Sequence, residues 1–236
     1  MSAGFQCKKF YVAHDQCAMK VGTDGLLLGA FAPLPPAGSA ILDIGAGSGL
    51  ISLMLAQRSN GANVIDAVEL DSAAANQAAA NVAKSPWPNA VQLIKGDILT
   101  YHTNKRYRLI VSNPPFFQQA LLPADKRRSQ ARHTDSLPFA QLLCKAAELL
   151  DEQGVFSLIL PRPEAEYLLQ LAVTQGWYVA QRCEVRSKAE KPLQRLLLSL
   201  SRQPCTAVYT SLIIHQADGS YTEDYRSLLK AFYLKF

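Results

Sequence analysis

Apolar residues come in short runs along this chain, and segments with helical spacing separate the runs. Ala40–Ile44 (AILDI) reads as a buried strand, and SGLISLMLAQRS behind it spaces its apolar residues as a helix. Asn63–Leu70 reads as a strand. Asp71–Lys84 follows as an Ala-rich helix with Asp71 or Ser72 as its cap. AVQLIKGD and YRLIVSN are further strands. Thr134–Leu150 has the pattern of an amphipathic helix capped by Thr134 or Asp135, GVFSLILP that of a strand, and RPEAEYLLQLAVTQG that of a helix. The tail predicts strands near Tyr178–Val185, Gln194–Ser201 and Tyr209–His215, then a helix near Glu223–Tyr233. Strands alternating with helices imply an α/β fold with a mainly parallel sheet covered on both faces. No internal repeat or low-complexity linker interrupts the 236 residues, which fit one domain.

One strand breaks its own pattern. LIVSNPPFF, Leu109 to Phe117, begins as a core strand and ends in a carboxamide, two prolines and two phenylalanines. Consecutive prolines cannot donate to a sheet ladder, so the strand stops there. A residue before proline is driven out of the helical region. Asn113 therefore sits on a rigid extended stub at the strand tip.

Composition narrows the classes. Hydrophobic residues at 49% against 18% charged supply a large core and argue against disorder. The five cysteines (Cys7, Cys17, Cys144, Cys183, Cys205) are scattered, odd in number and form no CxxC pair, which fits a reducing cytoplasm rather than a disulfide framework or zinc site. Lys8, Lys9 and Asp15 interrupt any early apolar run, so no signal peptide is expected. The longest uncharged stretch, Gly25 to Leu42, holds Pro33, Pro35 and Pro36 and reads as buried structure and a turn, not a membrane helix. His14, His102, His133 and His215 lack metal-ligand spacing and read as structural or surface residues, with His133 set apart by its place after the basic loop. The charge, by contrast, is localised. Lys105, Arg106, Arg108, Lys126, Arg127, Arg128 and Arg132 are opposed only by Asp125, a net of +6 in a chain of +5. Flanking the Asn-Pro-Pro segment, this window suggests a polyanion partner.

LDIGAGSGLIS follows the first of these strands and opens a helix. Gly45, Gly47 and Gly49 alternate behind Asp43, so the third glycine comes one residue earlier than in the dinucleotide pattern G-x-G-x-x-G. Glycines there permit a tight turn and close approach of a ligand to backbone, with free helix N–H groups facing it. Glu69, 20 residues after Gly49, ends the next strand and can accept from both hydroxyls of a ribose. Asp97 follows the third strand, where a carboxylate can accept from the exocyclic amine of an adenine.

In this order and spacing, LDIGAGSG, VELD, GDI and SNPPF resemble the motifs of class I S-adenosylmethionine-dependent methyltransferases, the last being the Asn-Pro-Pro-Tyr/Phe type that methylates planar amino nitrogens. MKVGTDGLLLGAFA, ARHT and YTEDYRSLLKAFYLKF extend the resemblance over nearly the whole chain, to the bacterial tRNA1(Val) adenine-37 N6-methyltransferases. The resemblance implies a Rossmann-like core at 39–202 with a seven-stranded sheet, a cofactor-covering segment at 1–38 and a C-terminal extension at 203–236. It implies S-adenosylmethionine as cofactor, bound by Asp43, Gly45, Gly47, Gly49, Glu69, Asp97 and Asn113, with Lys20, Thr23 and Asp24 closing over its methionine end. It implies a target adenine whose amine meets the Asn113 side-chain oxygen and the Pro114 carbonyl and whose ring stacks on Phe116. Phe116 stands where many relatives have Tyr, so stacking survives and a phenolic contact is lost. The bases of single-stranded loops splay out most readily, and Lys126, Arg127, Arg128 and Arg132 would hold the neighbouring phosphates. A protein glutamine methyltransferase shares the motif, but the basic window argues against it. The glycine spacing and the Asn-Pro-Pro segment argue against an NAD-dependent oxidoreductase, and intact cofactor motifs against a non-catalytic RNA-binding module.

Overall fold

The computed structural model describes residues 3–115 and 138–235. A hairpin of β1 (Gly4–Gln6) and β2 (Tyr11–Ala13) opens the chain. Next come α1 (Thr23–Phe31), β3 (Ala40–Ile44), α2 (Leu50–Arg58), β4 (Val64–Glu69), α3 (Ser72–Ala83), β5 (Val91–Lys95) and β6 (Tyr107–Ser112). After residue 137 follow α4 (Phe139–Leu149), β7 (Leu150–Pro161), α5 (Arg162–Thr174), β8 (Tyr178–Arg186), β9 (Arg195–Ser201), β10 (Val208–Ile213) and α6 (Glu223–Leu229).

The second sheet has the order β10-β8-β9-β7-β6-β3-β4-β5. Only β9 runs against its neighbours, β7 and β8. The expected mainly parallel α/β sheet is present, with eight strands rather than seven. The additional strand is β10, which the tail supplies: its residues Val208–Ile213 pair in parallel with Gln181–Arg186, so part of the expected extension is an edge of the sheet. One face of the sheet is buried under a cluster that includes Leu53 and Met54 of α2, and the other under Leu142, Leu143 and Leu168 of α4 and α5.

The uncharged stretch expected as buried structure and a turn contains α1. Gly25 through Gly29 are all buried, so this helix shows no polar stripe for periodicity to find. A Cβ on Gly29 would lie 2.6 Å from the sulfur of Met54, so the glycine lets α1 lie close on α2. The alternative caps proposed for α3 resolve to Asp71, whose carboxylate accepts from the Ala74 N–H at 2.8 Å. Thr134 and Asp135, proposed to cap the helix now seen as α4, lie outside the described residues.

Chain order sets the site. From β3 the chain adds β4 and then β5 on one side, and then crosses to place β6 on the other. The carboxyl ends of β3 and β6 thus flank a topological switch point, where such sheets open a crevice. The Ser112 hydroxyl ties the two tips together by donating to the Ile44 carbonyl at 2.9 Å.

At the opposite edge, Asp66 is 1% exposed and accepts from Lys105 Nζ at 2.7 Å and from the Tyr107 hydroxyl at 2.7 Å. Removing the carboxylate takes away the acceptor of Lys105 and leaves the buried Tyr107 hydroxyl with the Tyr101 hydroxyl alone, at 3.0 Å. Asp66→Ala is therefore expected to lower unfolding free energy by about 1–3 kcal/mol in urea titration; an unchanged midpoint and slope would show that this network does not support the sheet.

Candidate functional site

The glycine turn grows out of β3. Gly45, Gly47 and Gly49 have φ of 72°, 54° and 79°, left-handed values that favour glycine. Gly45 and Ala46 donate their N–H groups to the Val68 carbonyl at 2.9 and 3.1 Å, which pins the turn to β4. A Cβ on Gly45 or Gly47 would meet nothing within 4 Å. The space above the turn is open, as a cradle for a bound group must be. Gly49 differs: a Cβ there would press on Ala78 of α3 at 3.4 Å.

Glu69, at the tip of β4, closes the turn. One carboxylate oxygen accepts from the Gly47 N–H at 2.7 Å and the other from the Asp71 N–H at 2.8 Å. Two backbone donors fix the carboxylate, yet its remaining lone pairs can still accept from hydroxyls. Below the turn, Asp43 is fully buried. Its Oδ2 accepts from the Ser52 N–H at 3.1 Å and the Ser52 hydroxyl at 2.6 Å, while Oδ1 meets no hydrogen-bond donor among the described residues. Burial pushes its pKa up to about 6, and the Ser52 bonds oppose that rise. One strand beyond Glu69, Asp97 uses one oxygen to cap the turn of residues Ile98–Thr100, at 2.9 Å from the Leu99 N–H. A cavity of about 220 Å³ opens beside it, lined by Val68, Ile94, Gly96, Asp97, Thr100 and Tyr101.

Asn113 extends β6 past Ser112, on the other side of Gly45. Its side-chain Oδ1 is buried and accepts from no described residue. A buried carboxamide oxygen with no donor is costly unless a ligand supplies one. Pro114 behind it is buried and Pro115 exposed.

The predicted residues of the N-terminal segment fall nearby. A Cβ on Gly25 would lie 3.0 Å from the Leu50 side chain at the start of α2, which puts the Thr23–Asp24 turn beside the end of the glycine turn. Thr23 and Lys20 are exposed, whereas one Asp24 oxygen is occupied by Arg195 Nε of β9 at 2.9 Å. Phe116, Phe117, Lys126, Arg127, Arg128, Arg132 and His133 lie outside the described residues. The structure corrects the reading of the basic window. Lys105, Arg106 and Arg108 stand at the amino end of β6, a strand's length from Asn113, and Lys105 and Arg108 are paired with Asp66 and Asp151. They do not surround Asn113. Sequence reading also misses Ser52 and Ser112, which hold Asp43 and the β6 tip. The only signal of Ser112 is a hydroxyl among the apolar residues of IVS.

The comparisons with known proteins agree with this geometry. The family described as Methyltransferase small domain matches residues 19–170. A tRNA1(Val) (adenine(37)-N6)-methyltransferase of Serratia proteamaculans is 50% identical over 234 residues, which span 98% of this chain and 90% of that protein. This chain belongs to that family. A second tRNA1(Val) (adenine(37)-N6)-methyltransferase, from Yersinia enterocolitica, is 46% identical over 99% of this chain and 93% of its own. The fold is shared more widely: a "predicted O-methyltransferase" from Agrobacterium tumefaciens superposes with a TM-score of 0.68 at 15% identity, over 89% of this chain and 96% of that one. The eight-stranded sheet is thus a methyltransferase sheet, and the chain is an S-adenosylmethionine-dependent methyltransferase of the tRNA1(Val) (adenine(37)-N6) family.

Two outcomes are expected from this geometry. Glu69→Ala removes both the clamp on Gly47 and an acceptor, so cofactor affinity by calorimetry should fall by about 1.5–3 kcal/mol; equal affinity would remove Glu69 from the site. The Asp43 carboxyl binds its proton more tightly folded than unfolded. Its stabilising contribution is whole below pH 4 and is lost as pH rises toward 6. Asp43→Asn should therefore flatten the decline in wild-type stability between pH 4 and pH 7, a difference on the order of 2–3 kcal/mol. Parallel pH profiles for the two proteins would contradict this.

Proposed function

We propose that this chain transfers a methyl group from S-adenosylmethionine to the exocyclic N6 amine of an adenine in a tRNA anticodon loop, adenine-37 of valine tRNA, acting in the cytoplasm. The observation that carries the reading is the buried Oδ1 of Asn113, without a partner among the described residues and one strand from the open glycine turn. The reaction named for the relatives at 46–50% identity supports the choice of base and RNA.

The residues present fit the cofactor. Gly45 and Gly47 leave its space open, Glu69 keeps lone pairs for ribose hydroxyls, and Asp97 faces the place for an adenine amine. Lys20, Thr23 and Asp24 cover the methionine end, with Asp24 braced by Arg195. Asp43 leaves one buried carboxylate oxygen beneath the turn, complementary to a positively charged ligand. When bound, S-adenosylmethionine supplies an electrophilic methyl group.

The lone pair of an adenine N6 amine is delocalised into its ring, so the amine is a weak nucleophile. Asn113 Oδ1 and the Pro114 carbonyl accept its two N–H bonds and localise the lone pair. Pro114 and Pro115 fix both acceptors before the base arrives, which is electrostatic preorganisation toward the positive charge that develops on nitrogen. The methylated amine is acidic and releases its extra proton to solvent, so no strong general base is needed. Phe116 stacks on the splayed base, worth about 1–3 kcal/mol. Lys126, Arg127, Arg128 and Arg132 hold phosphates.

Incubation of purified valine tRNA with the protein and S-adenosylmethionine, followed by nucleoside mass spectrometry, tests the proposal. N6-methyladenosine is expected, and none when the target adenine is replaced by guanine. Robust methylation of DNA or protein with none on tRNA would overturn it. Replacing Lys126, Arg127 and Arg128 by Ala should reduce the log–log salt slope of tRNA binding by about 0.7–0.9 per charge and leave cofactor affinity unchanged. An unchanged slope would remove these three from the phosphate contacts.

A further inference from the structure

Helix α3 carries two buried carboxamides that the chemistry above does not use. Gln77 and Asn81 are four residues apart and so share one face. They are 7% and 4% exposed on a helix otherwise dominated by alanine. Asn81 spends every polar group on two distant backbone segments. Its Oδ1 accepts from the Ala13 N–H at 3.0 Å, and its Nδ2 donates to the Ala13 carbonyl at 2.8 Å. The second Nδ2 proton goes to the Ser48 carbonyl at 2.9 Å, inside the glycine turn. Toward Ala13 the side chain thus behaves like a neighbouring strand, while at Ser48 it holds the peptide just before Gly49.

One turn earlier, Gln77 holds the continuation of the same segment. Its Oε1 accepts from the Gln16 N–H at 3.1 Å and from the Cys17 thiol at 3.2 Å, and its Nε2 donates to Asp15 Oδ1 at 2.6 Å. The chain then turns on His14, whose Nδ1 accepts from the Val21 N–H at 3.0 Å and whose carbonyl accepts from the Cys17 N–H at 3.3 Å. The path leads directly into Lys20, Val21, Gly22 and Thr23. The glycine turn and the segment beside it are therefore both fastened to a single helix face by the side chains of Gln77 and Asn81.

We infer that Gln77 and Asn81 are positioning residues for cofactor binding: they form a latch that holds residues 13–23 in register with the glycine turn. The inference rests on the reading of the glycine turn as the cofactor site and is independent of the RNA assigned above. A cofactor held between turn and segment meets both surfaces already set when the latch is closed. When it is broken, binding must first order the segment. The latch then governs cofactor affinity, whereas Asn113 governs the reacting amine.

The test uses Gln77→Ala, Asn81→Ala and the double variant of the whole chain. Cofactor affinity is read by calorimetry with S-adenosylmethionine alone, so an error in the choice of RNA leaves this readout intact. Each single change is expected to raise the dissociation constant at least tenfold. Turnover at saturating cofactor should stay within about threefold of wild type, on whichever substrate the wild type methylates. Amide hydrogen exchange should speed up at residues 13–22 and stay slow in β3 and β4. A general loss of structure would instead lower turnover at saturating cofactor and speed exchange throughout the sheet, and that result overturns the inference. Unchanged affinity in the folded variants also overturns it. Should Asn81→Ala fail to fold, Gln77→Ala decides alone, because Gln77 bonds only to the segment and not to the glycine turn.

Discussion

Strand β3 has parallel partners on both sides, β4 and β6, and the rest of the site follows from that constraint. Strands in such a sheet are about 4.8 Å apart. The glycine turn at the end of β3 is therefore forced between the tips of β4 and β6, with Glu69 on one side and Asn113 on the other. The register is held at the tip itself, where Ile44 pairs with both Val68 and Ser112 and the Ser112 hydroxyl bonds to the Ile44 carbonyl. One half of the crevice presents carboxylates, suited to hydroxyls and amines of a cofactor. The other presents a rigid carboxamide, suited to a planar amine. A slip of one residue in β6 would turn Asn113 to the other face of the sheet and separate the two halves of the chemistry.

The charges of this molecule divide into those that stabilise the sheet and those that leave bonding capacity for a ligand. Asp66 is satisfied by Lys105 and Tyr107 and anchors the amino ends of the strands. Arg108 is held likewise by Asp151 and Gln153. At the carboxyl ends the accounting is left open. Among the described residues, Asp43 and Asn113 each keep a buried oxygen without a donor, and Glu69 is held by backbone N–H groups. Unmet acceptors cost stability in the free protein, and these two flank the open turn, where a ligand can supply the missing donors.

Much of this was legible in the sequence. Strands follow the apolar runs because both faces of the sheet are covered, and Asp43, Glu69, Asp97 and Asn113 all appear at strand ends because chain order brings them there. What escaped did so for physical reasons. The middle of helix α1, Gly25 to Gly29, is buried on all sides and carries glycines where α2 presses against it, so it has no periodicity to read. Lys105 and Arg108 lie close to Asn113 in sequence, but a strand separates them in space, so these residues of the basic window do not border Asn113. Asn81 and Gln77 find partners 33 to 68 positions away, and a carboxamide in an alanine-rich helix gives no hint of them.

In the proposed reaction, Asn113 acts chiefly on the target amine. Single-turnover methylation of valine tRNA by wild type and Asn113→Ala, with calorimetry of S-adenosylmethionine binding to both, tests this most directly. Cofactor affinity is expected within about twofold of wild type, and the methyl-transfer rate lower by at least about a thousandfold, some 4 kcal/mol of lost transition-state stabilisation. Transfer at a near-wild-type rate, or a loss of rate explained entirely by weaker cofactor binding, would contradict it.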